Sequence, residues 1–118
     1  MFKNKEEYER WIEGQEWYQT MHLPSGLATR GKVPTHLRER LFDHIDCKGK
    51  TFLDVGCNSG QYCFLAKEKG ASRVVGIDTD RKRLEQGRII AEQEGYGVTF
   101  EERSIFDVGG LGRFDIVF

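Results

Sequence analysis

The residues best suited to chemistry are an acid leading into a glycine-containing turn, Asp54-Val55-Gly56-Cys57-Asn58-Ser59-Gly60, and a second acid, Asp78. A glycine at the end of a strand lets the backbone turn sharply and lets a ligand approach closely. A helix starting after such a turn presents unpaired N–H groups and the positive end of its dipole. The combination holds an anionic or polar ligand at the carboxyl edge of a sheet. Asn58 interrupts the glycines, but asparagine is the non-glycine residue best able to take a positive φ, so the loop shape survives. Asp78 ends the next apolar run, where a carboxylate can accept hydrogen bonds from the two hydroxyls of a ribose. Asp80 could share that task, although capping the following helix suits it better.

Other reactive side chains form no comparable set. Cys47, Cys57 and Cys63 are odd in number and show no CxxC spacing, so a reduced, cytoplasmic protein is expected. Cys57 lies inside the ligand turn with no histidine beside it and reads as a small loop residue. Cys63 reads as core. His22, His36 and His44 lack the spacing of a metal set, and no metal site is expected. Trp17, Tyr18, Arg30 and Lys32 precede the turn and admit two readings, closure over a ligand or RNA, or packing plus solvated charge. No general base stands out, so the catalytic residue is unknown.

The elements that must position these residues follow from periodicity. Tyr8, Trp11 and Ile12 form the apolar stripe of an amphipathic helix from Asn4 to about Gln19. A loop from Met21 to Val33 follows. Pro34 opens a second helix with Leu37, Leu41, Phe42 and Ile45 on one face and Arg38, Glu39 and Arg40 turned to solvent. From Thr51 the texture becomes β-α-β-α-β-loop-β. TFLDVG and RVVGID are buried strands, and QYCFLAKEKG is a helix stopping at Gly70. Asp80 caps a helix over Arg81 to Glu94, VTFEERSIF holds a third strand and FDIVF a fourth. Alternation of this kind predicts an α/β fold with a parallel sheet and right-handed crossovers. The expected organisation is a helical lead-in over 1–50 and a ligand-binding portion over 51–118.

Composition sets outer bounds. A chain of 118 residues supports one core. With 18 basic and 19 acidic residues the net charge is −1, which argues against a strongly basic nucleic-acid module. The sequence contains neither an apolar run long enough for a membrane helix nor a secretory leader, and no membrane partner is expected.

Two nucleoside-binding patterns are comparable with the turn. The dinucleotide pattern G-x-G-x-x-G requires a third glycine where Gln61 stands. The S-adenosylmethionine pattern, D/E-x-G-x-G-x-G, is met by Asp54, Gly56 and Gly60, with only Asn58 departing. The segments LDVGCNSGQY, GIDTD and FDIVF resemble, in order, motifs of the class I S-adenosylmethionine-dependent methyltransferases. The resemblance spans Thr51 to Phe118. WYQTMHLPSGLATRGKVP is similar to the lead-in of the tRNA wobble-uridine methyltransferase and carboxymethyltransferase group.

The resemblance implies a Rossmann-like sheet in the order 3-2-1-4 and S-adenosylmethionine as cofactor. Asp54 would lie near the methionine amino group, with Gly56, Cys57, Asn58 and Gly60 forming the loop around the methionine and ribose. Asp78 would hold the ribose hydroxyls and Thr79 would lie beside adenine. Ser104 and Ile105 fall where relatives contact adenine, although relatives carry an acid at the position of Ser104, and Asp107 stands close by. The implied acceptor is tRNA or a small molecule. The family's sheet has seven strands, so the chain is expected to be an incomplete methyltransferase fold, cut after the fourth and inactive alone. Phe114–Phe118 would then be an open edge able to pair with a second copy. Two other functions stay open, a non-catalytic α/β module associating through that edge and, less favoured, an NAD-binding oxidoreductase domain.

Overall fold

The computed structural model describes residues 2–118. Helix α1 runs over Lys5–Glu13, capped by the Asn4 side chain, which accepts a hydrogen bond from the Glu7 N–H at 2.9 Å. It buries Tyr8 and Ile12 and stops at Gly14, short of the expected Gln19. The chain then turns extended. Strand β1, Trp17–Gln19, pairs in parallel with β2, Gly31–Val33, within the segment expected to be a helix end and a loop. Gly31 is required by close approach: a Cβ there would lie 2.3 Å from the backbone carbon of Gln19. Between the two strands the chain doubles back through a bridge joining His22 and Ala28.

The expected helix from Pro34 is shorter and partly tighter. Helix α2 covers only His36–Glu39 and continues as a 3-10 turn over Arg40–His44. Phe42 is buried and Ile45 packs partly against the core, whereas Leu37 and Leu41 are 63% and 48% exposed, so half of the anticipated stripe meets no surface.

The remaining elements follow the expected order. They are β3 (Thr51–Val55), α3 (Gln61–Glu68), β4 (Arg73–Asp78), α4 (Arg81–Glu94), β5 (Val98–Glu102) and β6 (Ile116–Val117). Asp80 caps α4 by accepting from the Arg83 N–H at 3.2 Å, and Gly95 ends it with φ +79°. The strands form one parallel sheet in the order β5-β4-β3-β6, the 3-2-1-4 order expected of a Rossmann-like fold. The fourth strand is shorter than FDIVF, but the Phe118 backbone extends its ladder to Leu53 and Val55 at 2.8 and 3.1 Å.

Successive steps from β3 to β4 to β5 run in one direction, so right-handed crossovers put α3 and α4 on the same face. Their buried residues, among them Cys63, Phe64, Leu84 and Ile90, share one apolar cluster with Phe52 and Phe100 of the sheet. Tyr8, Ile12, Trp17 and Met21 of the lead-in belong to it too. The step to β6 reverses direction, and its connection covers the opposite face, where Leu111 packs with Leu53, Val75 and Ile77. The sheet order therefore reverses at β3, and a crevice opens beyond its carboxyl end. Polar contacts tie the lead-in to α4. The Glu94 carboxylate accepts from the Ser25 N–H and the Tyr8 hydroxyl, each at 2.9 Å.

Candidate functional site

The turn after β3 is built by backbone pairing. The N–H groups of Gly56 and Cys57 both donate to the Ile77 carbonyl, at 2.8 and 2.9 Å, which folds the loop against the end of β4. Gly56 has φ +73°. Asn58 has φ +55°, the only positive value at a non-glycine residue among those described, so asparagine does take the left-handed conformation at the position of the missing glycine. Its side-chain oxygen accepts from the Ser59 N–H at 2.9 Å. Ser59 is wholly buried and donates to the Gln86 side chain at 3.0 Å, which anchors the loop from below on α4.

Gly60 precedes α3 with φ +97°, and a Cβ there would lie 2.6 Å from the Phe100 ring. Both the backbone conformation and the space exclude a side chain. Gly60→Ala is expected to destabilise the fold by about 2–4 kcal/mol, as positive-φ strain adds to overpacking. Urea unfolding checks this, through a lower midpoint at unchanged slope.

Asp78 closes the site on the β4 side. One carboxylate oxygen accepts from the Asn58 N–H and the other from the Asp80 N–H, both at 2.8 Å. The acid thus ties the glycine turn to the start of α4, and each carboxylate oxygen keeps capacity to accept a further hydrogen bond. A cavity of about 220 Å³ opens here, formed by Val55 and Gly56, by Ile77 to Thr79, and by Arg103 to Ile105. Arg103 is spent on the Glu101 carboxylate at 2.8 Å and on carbonyls of Asp107 and Gly109. The mixture suits a nucleoside: apolar edges from Val55, Ile77 and Ile105, and one carboxylate for hydroxyls. Space above Gly56 is open, since a Cβ built there meets nothing within 4 Å.

Of the residues singled out from sequence, the structure brings Gly56, Asp78, Thr79, Ser104 and Ile105 together around this cavity. Cys57 and Gly60 are buried beneath the loop, and Asn58 lies at its bend. Cys57 offers backbone rather than thiol. Asp107 does not line the cavity, and its N–H donates to the Ser104 carbonyl at 2.9 Å.

Asp54 is 2% exposed, below the loop. Burial pushes its pKa up to about 7, opposed by the Cys63 thiol, which donates to it at 3.7 Å, and by the charge of Arg38. The same apolar surroundings, with the neighbouring Cys57 and Asp54, push the Cys63 thiol well up.

Some residues did not stand out from sequence. Gln19, buried on β1, accepts from the Gln61 N–H at the start of α3 at 3.1 Å. Arg38 is exposed, as expected, but its guanidinium lies over the rings of Tyr62 and Phe118 at 4.8 and 4.9 Å. Of the ambiguous quartet, Trp17 is core, its N–H donating to the Ile12 carbonyl at 2.9 Å, and Lys32 pairs with Glu16. Tyr18 is exposed, and Arg30 borders a separate cavity beside α1.

A family model described as a methyltransferase domain matches residues 46–118. Ribosomal protein L11 methyltransferase of Tolumonas auensis is 45% identical over 75 residues, covering 62% of this chain and 26% of the relative. That of Burkholderia mallei is 44% identical over 99 residues, covering 82% and 32%. The chain thus spans a third or less of the length of these curated relatives. An RNA methyltransferase from Salinibacter ruber, solved with S-adenosyl-L-homocysteine, superposes with TM-score 0.63 at 22% identity, covering 72% of this chain and 57% of that one. Ribosomal protein L11 methylase from Lactobacillus delbrueckii subsp. bulgaricus gives 0.61 at 26%, covering 70% and 44%. With the glycine turn, the acid that ends β4 and the sheet order all in place, the chain belongs to the class I S-adenosylmethionine-dependent methyltransferases.

Proposed function

We propose that this chain is the cofactor-holding part of a methyltransferase that modifies a protein of the translation apparatus. The observation that carries the cofactor reading is the cavity at the carboxyl ends of β3, β4 and β5, with Asp78 on one wall and the open glycine turn on the other. In this reading Asp78 accepts from the ribose hydroxyls and Gly56, Cys57, Asn58 and Gly60 shape the loop around the sugar and the methionine. Thr79, Ser104 and Ile105 border the adenine, and Asp54 serves the methionine ammonium. Residues 51–118 hold the cofactor, and the lead-in over 1–50 props the loop through Gln19 and Gln86 contacts.

Bound S-adenosylmethionine supplies a methyl group on a sulfonium whose leaving group is already good. The task of the chain is therefore placement and electrostatics more than proton transfer. The loop holds the donor still, and the apolar wall keeps water from its base.

The names of the relatives at 44–45% identity favour a ribosomal protein as acceptor. A tRNA acceptor, implied by the resemblance of the lead-in, has weaker support. The RNA methyltransferase among the structural neighbours is 22% identical, a level at which fold alone is comparable. A cytoplasmic setting fits both acceptors, and among the described residues no helix is long and apolar enough to cross a membrane. Self-association through the edge at Phe114–Phe118 is a separate expectation that light scattering can address. Val117 there is 65% exposed.

Calorimetric titration of the chain with S-adenosylhomocysteine and with NADH tests the cofactor reading. Saturable heat with the first and none with the second is expected. Heat with NADH alone would favour the oxidoreductase alternative.

A further inference from the structure

We propose that a basic patch at the amino-terminal edge of the sheet docks the phosphate backbone of an RNA duplex. The choice of RNA rests on the translation-apparatus reading above, and the cofactor does not enter into it. The net charge of −1 is a total that conceals an uneven distribution. Three stretches separate in sequence meet at this edge. The Gly49 N–H donates to the Gly70 carbonyl at 2.9 Å, and the Ser72 N–H to the Lys50 carbonyl at 2.8 Å. Thr51 faces Arg73 across the β3–β4 ladder, and its N–H donates to the Asp115 carboxylate at 2.9 Å. Lys48, Lys50, Lys69, Arg73 and Arg113 are thereby gathered at one edge, all exposed. Lys67 joins them, its ammonium donating to the Ala71 and Ser72 carbonyls at 3.3 Å.

The acids of the same edge are Asp46, Glu68 and Asp115, and each has a neutral partner. Asp46 accepts from the Lys48 N–H at 3.1 Å, Glu68 from the Tyr96 hydroxyl and Asp115 from Thr51. Among the described residues none of the six cations forms an ion pair. Cations held together without such partners repel one another, and a polyanion brought to the edge relieves that repulsion. What the edge lacks decides the class of polyanion. A protein interface is anchored by buried apolar or aromatic side chains. None of the large exposed hydrophobic residues falls within 46–50, 67–73 or 113–115. Phe114 is half-buried and covered by the Arg73 guanidinium, 5.0 Å from its centroid, so it offers no face for stacking an unpaired base. A duplex backbone needs neither anchor nor ring, since cations alone hold it without reading its sequence. The edge lies at the far end of β3 from the cofactor cavity, roughly 15 Å away at about 3.3 Å per residue, so a bound duplex leaves the cavity open.

Fluorescence anisotropy of the chain with labelled RNA duplexes of about 16 base pairs, in two unrelated sequences, tests the proposal. Both duplexes are expected to bind alike, and log affinity to fall against log salt with a slope of about −3 to −5. Combining Lys48→Gln, Lys50→Gln and Lys69→Gln should weaken binding about 10-fold or more and flatten the slope by about 2 to 3. Combining Lys3→Gln, Arg10→Gln and Lys82→Gln removes the same charge from exposed positions elsewhere and should cost less than about 3-fold. No saturable binding at about 50 mM salt, an equal loss in the two combined variants, or a polyglutamate peptide binding as tightly as the duplex overturns the proposal. Amide shifts of the unaltered chain on adding the duplex give a check independent of any variant's folding. Shifts centred on 48–50 and 69–73 are expected, and shifts centred elsewhere overturn the proposal. None of these outcomes touches S-adenosylhomocysteine binding, so a failure here leaves the cofactor reading standing.

Discussion

Asp78→Ala is expected to weaken S-adenosylhomocysteine binding by roughly 100-fold or more, since in the proposed reading it removes two charge-assisted hydrogen bonds to the ribose together. The same substitution should also lower stability. The Asp78 carboxylate accepts from the N–H groups of Asn58 and Asp80, both at 2.8 Å. Without it the glycine turn loses its tie to β4, at about 1–3 kcal/mol for donors left unpaired in a half-buried place. Asp78→Asn separates the two effects. It keeps one oxygen for a backbone donor but sets an amide NH2 against the other, and it removes the charge. Stability should fall less than in the alanine variant, while binding should still fall by about tenfold or more. Calorimetry and thermal unfolding, run on both variants below their melting ranges, read the two quantities. Unchanged affinity in both variants would remove Asp78 from the site.

The second large effect concerns Asp54 and pH. Burial raises its pKa to about 7 in the folded chain, against 3.8 for an ordinary aspartate. Below the lower value both folded and unfolded chains carry the proton, and the protonated acid is buried without penalty. As pH rises toward 7 the unfolded chain releases its proton first, and the folded chain holds on to its own. Stability contributed by this group is therefore fully present in acid and is lost as pH rises through the folded value, by up to about 1.4 kcal/mol per pH unit between the two. Asp54→Asn should flatten that slope whatever it does to stability at one pH. Urea unfolding between pH 4.5 and 7.5 on the chain and the variant measures it, and equal slopes would contradict the assignment. A bound methionine ammonium favours the ionised acid, so S-adenosylhomocysteine binding near pH 6.5 should release protons, seen as buffer-dependent heat.

The core of the fold was legible because its signals are local. Apolar runs ending in Gly56 and Asp78 mark strands, and Asp80 and Gly95 mark the ends of α4 through their own caps. The asparagine in the glycine turn was legible for the same reason, since its backbone preference is intrinsic. The lead-in was not. Strands β1 and β2 are three residues each and pair only with one another, too short for an alternation to show. Their support comes from buried polar side chains with distant partners, such as Thr29, whose hydroxyl donates to the Gln19 carbonyl at 2.8 Å.

The stripe at Leu37, Leu41, Phe42 and Ile45 misled because periodicity shows an amphipathic helix without showing a surface to receive it. Phe42 is buried and Ile45 packs partly against the core, while Leu37 and Leu41 stay exposed. Arg38 illustrates the converse. Nothing in its local sequence distinguishes it from Arg40, and its place is decided by rings that lie 24 and 80 positions along the chain. Ser104 and Ile105 are legible only through the resemblance, and the path of the β5–β6 connection brings them to the cavity wall.

In the proposed reading one ligand, S-adenosylmethionine or its product, sits at the carboxyl ends of β3, β4 and β5. Amide chemical shifts of the isotope-labelled chain, followed as S-adenosylhomocysteine is added, test it most directly. Saturable shifts centred on Gly56 to Gly60, Asp78 and Thr79, and Ser104 and Ile105 are the expected result. Shifts centred instead on the cavity beside α1, at Glu9, Leu27 and Arg30, or no saturable shifts at all, would contradict it.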